Sequence, residues 1–270
     1  MSLRLVLRQA PALRVDARRL QPKTLAAVSA DDLRRMTLPH GRDEVELGEW
    51  FDVLEDGAGS LVLQLEGDLA RFDAIGAGLA EGTLVVRGDV GDAVGLGMTG
   101  GRLLVEGNAR DLAGCAMRGG ALEVKGSVGD LAASALPGDM DGMSGGTLCV
   151  RGNAGARLAD RMRRGNVTVF GDAGEFAASR LVAGTVALGG RCGAHAAWGM
   201  RRGTLVFAGE APALGATFVP IESDADVFWQ LLARDLARFG APFDTLARRR
   251  VARHAGDLAA QGKGELLVPQ

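Results

Sequence analysis

The sequence predicts an all-β fold: a single-stranded, right-handed parallel β-helix (a solenoid) of 19-residue coils, with a short helical C-terminal segment. A glycine period, a set of alternating apolar columns and an unusual composition predict it. The period comes first. A glycine follows a short aliphatic run at Gly67, Gly88, Gly107, Gly126, Gly152, Gly171, Gly190 and Gly209, with spacings of 21, 19, 19, 26, 19, 19 and 19. A second glycine closes each unit at Gly82, Gly101, Gly120, Gly146, Gly165, Gly184 and Gly203, with spacings of 19, 19, 26, 19, 19 and 19. Two independent markers share one period, and one interruption of seven residues shifts both, as expected of a repeat architecture.

The columns come second. Two residues before the first glycine stand Leu65, Val86, Val105, Val124, Val150, Val169, Leu188 and Phe207. Four before it stand Leu63, Leu84, Leu103, Leu122, Leu148, Val167, Val186 and Leu205. All sixteen are apolar, while the residue directly before the glycine varies (Arg87, Glu106, Lys125, Arg151). Strict alternation over a short run is the mark of a half-buried strand. Asp, Asn or Ser follows the glycine at Asp68, Asp89, Asn108, Ser127, Asn153 and Asp172, which reads as strand, then turn. A unit of 19 residues is too short for a strand, a helix and two loops, and it suits a coil of short strands stacked on its neighbours. A third column lies three residues before the closing glycine: Leu79, Met98, Met117, Met143, Met162, Leu181 and Met200. It reads as an interior column of flexible side chains, not as a soft-metal stripe.

Composition agrees. There are 41 glycines, no tyrosine, 4% aromatic and 47% hydrophobic residues. The core is therefore aliphatic and narrow. Disorder does not fit, and a net charge of −2 gives no global signal for nucleic acid.

The flanks are read as caps, because an open β-stack exposes unpaired edges. Residues 1–60 form the opening cap, with a strand over 3–7, a helical turn over 30–36 and a strand with a glycine bend over 45–53 (VELGEWFDV). Residues 61–210 form the β-helix, and residues 211–270 a helical C-terminal cap and tail. In that cap, Ser223-Asp224-Ala225-Asp226 resembles a capping box with Asp in place of Glu. A helix over 224–239 follows, with Phe228, Leu231, Leu232, Leu236 and Phe239 on one stripe and Gly240 and Pro242 as its stop. A second helix over 243–254 and an extra strand over 264–268 complete the region. The seven extra residues fall between Leu131 and Gly142 and read as a surface excursion; Asp139 and Asp141 lack the spacing of a calcium loop.

The catalytic inventory is poor. The three cysteines (Cys115, Cys149, Cys192) occupy different positions in their units, and no two of His40, His195 and His254 have metal-ligand spacing. Strings such as Gly95–Gly100 resemble nucleotide loops, but they recur at a structural period with no following helix. No metal, catalytic or cofactor site is expected on this chain. The N-terminus does not read as a signal peptide, because Arg8, Gln9 and Pro11 interrupt its apolar run. No stretch is long and apolar enough for a membrane span, and an odd cysteine count suits a reducing cytoplasm. One surface feature stands out. Arg118, Arg163, Arg164, Arg201 and Arg202 sit just before closing glycines, at one corner of three units. They are the candidates for contact with a partner or an anionic tail.

The unit L-x-V-x-G-[DN]-x-G with a later M-x-x-G resembles the glycine-rich repeat domain of the C subunit of formylmethanofuran dehydrogenase. The same repeat closes the large subunit of glutamate synthase. The best units are TLVVRGDVGDAVGLGMTGG (83–101) and TLCVRGNAGARLADRMRRG (147–165), and the flanks VELGEWFDV and RHAGDLAAQGKGELLV also resemble the dehydrogenase subunit. The resemblance implies a non-catalytic subunit that holds others. In methanogens the complex oxidises formylmethanofuran with molybdenum or tungsten. In methylotrophs a related formyltransferase/hydrolase moves a formyl group from tetrahydromethanopterin to a methanofuran-type carrier and releases formate. The implied partners are formyltransferase and amidohydrolase-type subunits. The implied carriers belong to the complex, and their glutamate-rich tails are a candidate guest for the arginine corner. Arginine outnumbers lysine 28 to 3, which favours the bacterial complex. A dehydrogenase subunit and a detached synthase-type bridging domain remain the alternatives, although the synthase chain begins with a nucleophilic cysteine where this one has Ser2.

Overall fold

The computed structural model describes residues 2–55, 61–222 and 226–270. The molecule is mostly β and is built on one 13-stranded sheet, with a second sheet of four short strands. The repeats supply the centre of the large sheet. Strands Val62–Glu66, Thr83–Arg87, Thr99–Val105, Arg118–Val124, Ser144–Val150, Arg164–Val169, Thr185–Leu188 and Arg202–Phe207 pair in that order, each parallel to the next. Their register superimposes the apolar columns: Leu84 on Leu103, Val86 on Val105, Leu122 on Leu148 and Val124 on Val150. All sixteen column residues are buried, and so is the Leu/Met column from Leu79 to Met200. The sequence alternation is thus an inward-facing core, packed rung on rung.

Two further sides of each repeat are also tied to their neighbours. After the strand, parallel bridges run Leu69, Val90, Ala109, Val128, Ala154, Ala173 and Cys192. The turn residues before them form a polar ladder. Asp89 Oδ1 accepts from the Asn108 N–H (2.7 Å), Asn108 Oδ1 from Ser127 (2.9 Å), and Asn153 Oδ1 from Asp172 (2.8 Å). Each side chain thereby satisfies a backbone donor of the next repeat. On the third side every second residue is left-handed: Ala93, Gly95 and Gly97 have φ of 60°, 67° and 62°. Their N–H groups donate alternately to the following repeat (Asp111 O), the preceding one (Ile75 O) and the following one again (Cys115 O). The same alternation recurs at Leu112, Gly114 and Ala116, and at Arg157, Ala159 and Arg161.

The flanks do more than cap. Ser2–Leu7 joins the sheet as a parallel rung, placing Leu3 beside Leu63 and Leu5 beside Leu65, and Phe51–Glu55 closes that edge antiparallel. Lys263–Pro269 is the corresponding rung at the other end, followed by antiparallel Val251–Gly256 and Val219–Pro220. The expected strands over 3–7 and 264–268 and the turn of helix at Ala30–Arg35 are present. The segment 45–53 is not one bent strand. Asp43–Glu46 and Phe51–Glu55 belong to different sheets, and a single helical turn, Leu47–Trp50, buries Leu47 and Trp50 between them. The second helix over 243–254 is also corrected. Only a short turn, Leu246–Arg248, is helical, and the chain then extends into Val251–Gly256, because its backbone pairs with the C-terminal rung.

The C-terminal helix is Asp226–Ala237; Ser223, Asp224 and Ala225 of the expected capping box lie outside the described residues. Its buried face is Trp229, Ala233 and Leu236, whereas Phe228 and Leu231 are exposed. It packs on the outer face of the sheet with Ala187, Val206, Leu267 and Phe243, and Trp229 Nε1 donates to Arg249 O (2.9 Å). The buried stripe is rotated by about one residue from the one the sequence predicts, since Trp229, with its polar N–H anchored, wins the buried position over Phe228. Among the described residues no helix is long and apolar enough to cross a membrane.

Candidate functional site

The corner before the closing glycine is exposed wherever it carries arginine, at Arg118, Arg163, Arg164, Arg201 and Arg202. Four of these five come together. A cavity of about 600 Å³ is lined by Arg163, Arg164, Arg201 and Arg202, with Ser144 and Gln261. It adjoins a second of about 590 Å³ that shares Arg163, Arg201 and Gln261 and adds Arg161, Arg180 and Asp141. Arg118 lines neither cavity. It is separated from Arg163 by the repeat that carries Ser144 at the same corner.

Within the column, charge alternates with neutral residues: Arg118, Ser144, Arg163, Val182, Arg201. Arg163 and Arg201 are therefore two rungs apart, about 10 Å at strand spacing. Like charges at that distance in water repel weakly. Arg163 does pair with Asp141 of the excursion. Arg161 donates to Asp139 O (2.8 Å). The excursion is thus a wall of the cleft, held by arginines.

Arg161 and Arg180 were missed in the sequence, although a signal was present. They fill the third left-handed position of their repeats, with φ of 57° and 52°, where Gly78, Gly97 and Gly199 stand in others. A non-glycine residue there costs about 1–2 kcal/mol. Two arginines placed where glycine is easiest put the cation in the cleft at a cost in backbone strain. Arg180 is further anchored from below: Asp160, a buried carboxylate, pairs with its guanidinium and also accepts from Ser179 Oγ (2.6 Å).

Among the described residues, Ser144 carries the one hydroxyl lining the cleft, and the thiols lie elsewhere. Burial pushes Cys115 and Cys149 up to about 11 and Cys192 up to about 12, so each is a neutral thiol near pH 7. Among the described residues no group of three or more His, Cys, Asp or Glu side chains could hold a metal ion.

The whole chain superimposes on a known one. It matches a chain in the crystal structure of the formyltransferase/hydrolase complex (FhcABCD) from Methylorubrum extorquens in complex with methylofuran, at 39% identity, 99% coverage of both chains and a TM-score of 0.91. It is also 42% identical over 78 residues to the C subunit of the Fhc formyltransferase/hydrolase complex of the same organism, over 29% of each chain. This chain belongs to the C-subunit family of these formyl-transferring complexes.

The family extends to archaea. The C subunit of the tungsten-containing formylmethanofuran dehydrogenase 2 of Methanothermobacter thermautotrophicus is 34% identical over 86 residues, 31% of this chain and 32% of that one. The sequence matches to these curated subunits span under a third of either chain, while the structural match is end to end. No family model matches the chain.

Proposed function

We propose that this chain is the non-catalytic scaffold subunit of a formyltransferase/hydrolase complex, one that converts formyl-tetrahydromethanopterin via formylmethanofuran to formate in one-carbon metabolism. The observation that carries the reading is the end-to-end likeness to a chain of the crystallised complex. No carrier reacts on this chain; the formyl-bearing ends of the methanofuran-type and tetrahydromethanopterin carriers are used by the formyltransferase and amidohydrolase-type subunits it holds together in the cytoplasm. Its scaffold is a single-stranded right-handed parallel β-helix over 61–210, with an N-terminal capping segment 1–60 and a helical cap and tail 211–270. The three ladders between successive repeats support that winding.

The chain expressed alone is expected to release no formate from formyl carriers, because Ser144, the one hydroxyl among the described residues lining the arginine cleft, has no base hydrogen-bonded to it. Recombined with its co-purified partners it is expected to restore formate release with no electron acceptor. Formate production by the isolated chain would end the scaffold reading. An absolute need for molybdenum or tungsten would transfer the chain to a formylmethanofuran dehydrogenase.

The arginine cleft is the proposed contact for an acidic surface of a catalytic subunit or for the carrier's glutamate-rich tail. Arg163→Glu combined with Arg201→Glu is expected to shift stability by under about 0.5 kcal/mol per site, since both are exposed. Assembly or carrier affinity should fall at low salt, and added salt should weaken the wild type in the same way. Pull-down and carrier titration read the outcome; unchanged values in both would return these arginines to solvated turns.

A further inference from the structure

The last repeats carry an aromatic cluster that the arginine cleft does not use. Phe176 and His195 occupy the same left-handed position in successive repeats, with φ of 59° and 60°, and their rings stack at 4.8 Å between centroids. Trp198 meets Phe176 edge-on at 6.4 Å. Trp198 is 54% exposed, whereas Trp50 and Trp229 are buried in the two cores. An exposed aromatic group on strained backbone adds nothing to a core, and it is the kind of surface that anchors a partner.

Beside the cluster lies a cavity of about 470 Å³, walled by His195, Trp198, Leu214 and Phe218, with Asp257 among its lining. Asp257 is 4% exposed. Its Oδ2 accepts from the Gly199 N–H (3.0 Å) and its Oδ1 from Ala259 (2.9 Å), and the Thr217 hydroxyl donates to it as well. Burial pushes this carboxyl up, but the three hydrogen bonds outweigh burial and hold it below the usual carboxylate range. Asp257 is therefore an anion, and it is the one carboxylate among the described residues lining this cavity. Among the described residues no lysine or arginine forms a salt bridge with it. A buried carboxylate with about four acceptor positions still has one to offer after three bonds.

We infer that this cavity is a docking site for an arginine side chain of a partner polypeptide. The charge asks for a cation. The flat faces of Trp198 and His195 favour a planar guanidinium over a compact ammonium. The cluster already accepts one such group on its far side, where the Arg157 guanidinium lies 5.3 Å from the Phe176 centroid. The apolar rim of Pro212 and Leu214 suits the residues flanking that arginine in a polypeptide. The cavity shares no lining residue with the arginine cleft, although Gly199 and Ala259, whose N–H groups hold Asp257, line that cleft; the cleft has the opposite charge, and the inference does not depend on the identity of the complex.

The test is calorimetric titration of the full chain with acetyl-Leu-Arg-Leu-amide and with its citrulline counterpart, which keeps the shape and removes the charge. The arginine peptide is expected to bind saturably, and at least ten-fold more tightly than the citrulline peptide. Asp257→Asn should remove that preference. Because Asp257 also holds backbone N–H groups, Ala213→Arg is the second variant: it places a competing cation at the exposed rim and should weaken the arginine peptide at least ten-fold with an unchanged melting temperature. Equal affinity for the two peptides would overturn the inference. So would no saturable heat up to about 5 mM, the weak end of specific recognition, or methylguanidine binding as tightly as the peptide.

Discussion

Val150→Asp is expected to prevent the chain from folding. The Val150 side chain is fully buried, stacked between Val124 and Val169 in the continuous inner column. No cation lies within that column, so a carboxylate placed there loses its hydration without gaining a partner. The loss should exceed about 4 kcal/mol, against a total stability of about 5–15 kcal/mol for an ordinary domain. Because each repeat is supported only by its neighbours, a broken rung near the middle divides the stack instead of fraying an end. Val105→Asp should behave alike. Val85→Asp is the control: Val85 faces outward and is partly exposed, so the expected cost is about 1 kcal/mol. Circular dichroism and thermal melts separate the two classes. Equal mildness in both would mean that the alternation does not mark inside and outside.

Gly120→Ala is expected to cost at least about 3 kcal/mol, through two effects that add. Gly120 has φ of 78°, and a Cβ there would press into the carbonyl of Gly100 in the preceding repeat. That carbonyl is backbone, so it yields only by opening the stack. Gly97→Ala isolates the first effect. Gly97 has φ of 62° with nothing within 4 Å of an added Cβ, and Ala116 holds the equivalent place one repeat on with φ of 53°. Only the left-handed cost of about 1 kcal/mol should appear there. Denaturant midpoints of the two variants give the comparison. If both lose the same amount, dihedral preference alone explains the glycine period and close approach between repeats does not.

These contrasts show where the sequence was readable. Columns such as Leu103 and Val105 were legible because one physical demand, burial, recurs at a fixed interval. The closing glycines were legible for the same reason. The corner arginines could be aligned by repeat position, which brought four of five to one cleft. Arg161 and Arg180 escaped because their signal is a substitution against glycine at a left-handed site, visible only once the backbone of the third side is known. The flanks were least legible. Leu3 and Leu5 show the same alternation as the repeats, yet without a following glycine they read as a cap and not as a rung. The helical stripe at 224–239 was rotated because its apolar residues exceed what one face can bury, and only the position of the sheet decides between Phe228 and Trp229. The segment 243–254 keeps only the turn Leu246–Arg248 as helix, because from Val251 onward its backbone pairs with Lys263–Pro269.

The three ladders between repeats also make the molecule a measuring device. Each repeat adds one rung of about 4.8 Å along the stack, and hydrogen bonds on every side prevent it from stretching or shearing by fractions of a rung. The distance between whatever is held at the 2–7 end and whatever is held at the 263–269 end is therefore counted in whole repeats. The seven-residue excursion respects that count, since it bulges sideways between Leu131 and Gly142 while the strands on either side keep their pairing. A lineage could reset the spacing of two bound partners by gaining or losing one repeat, leaving both ends and their contacts untouched.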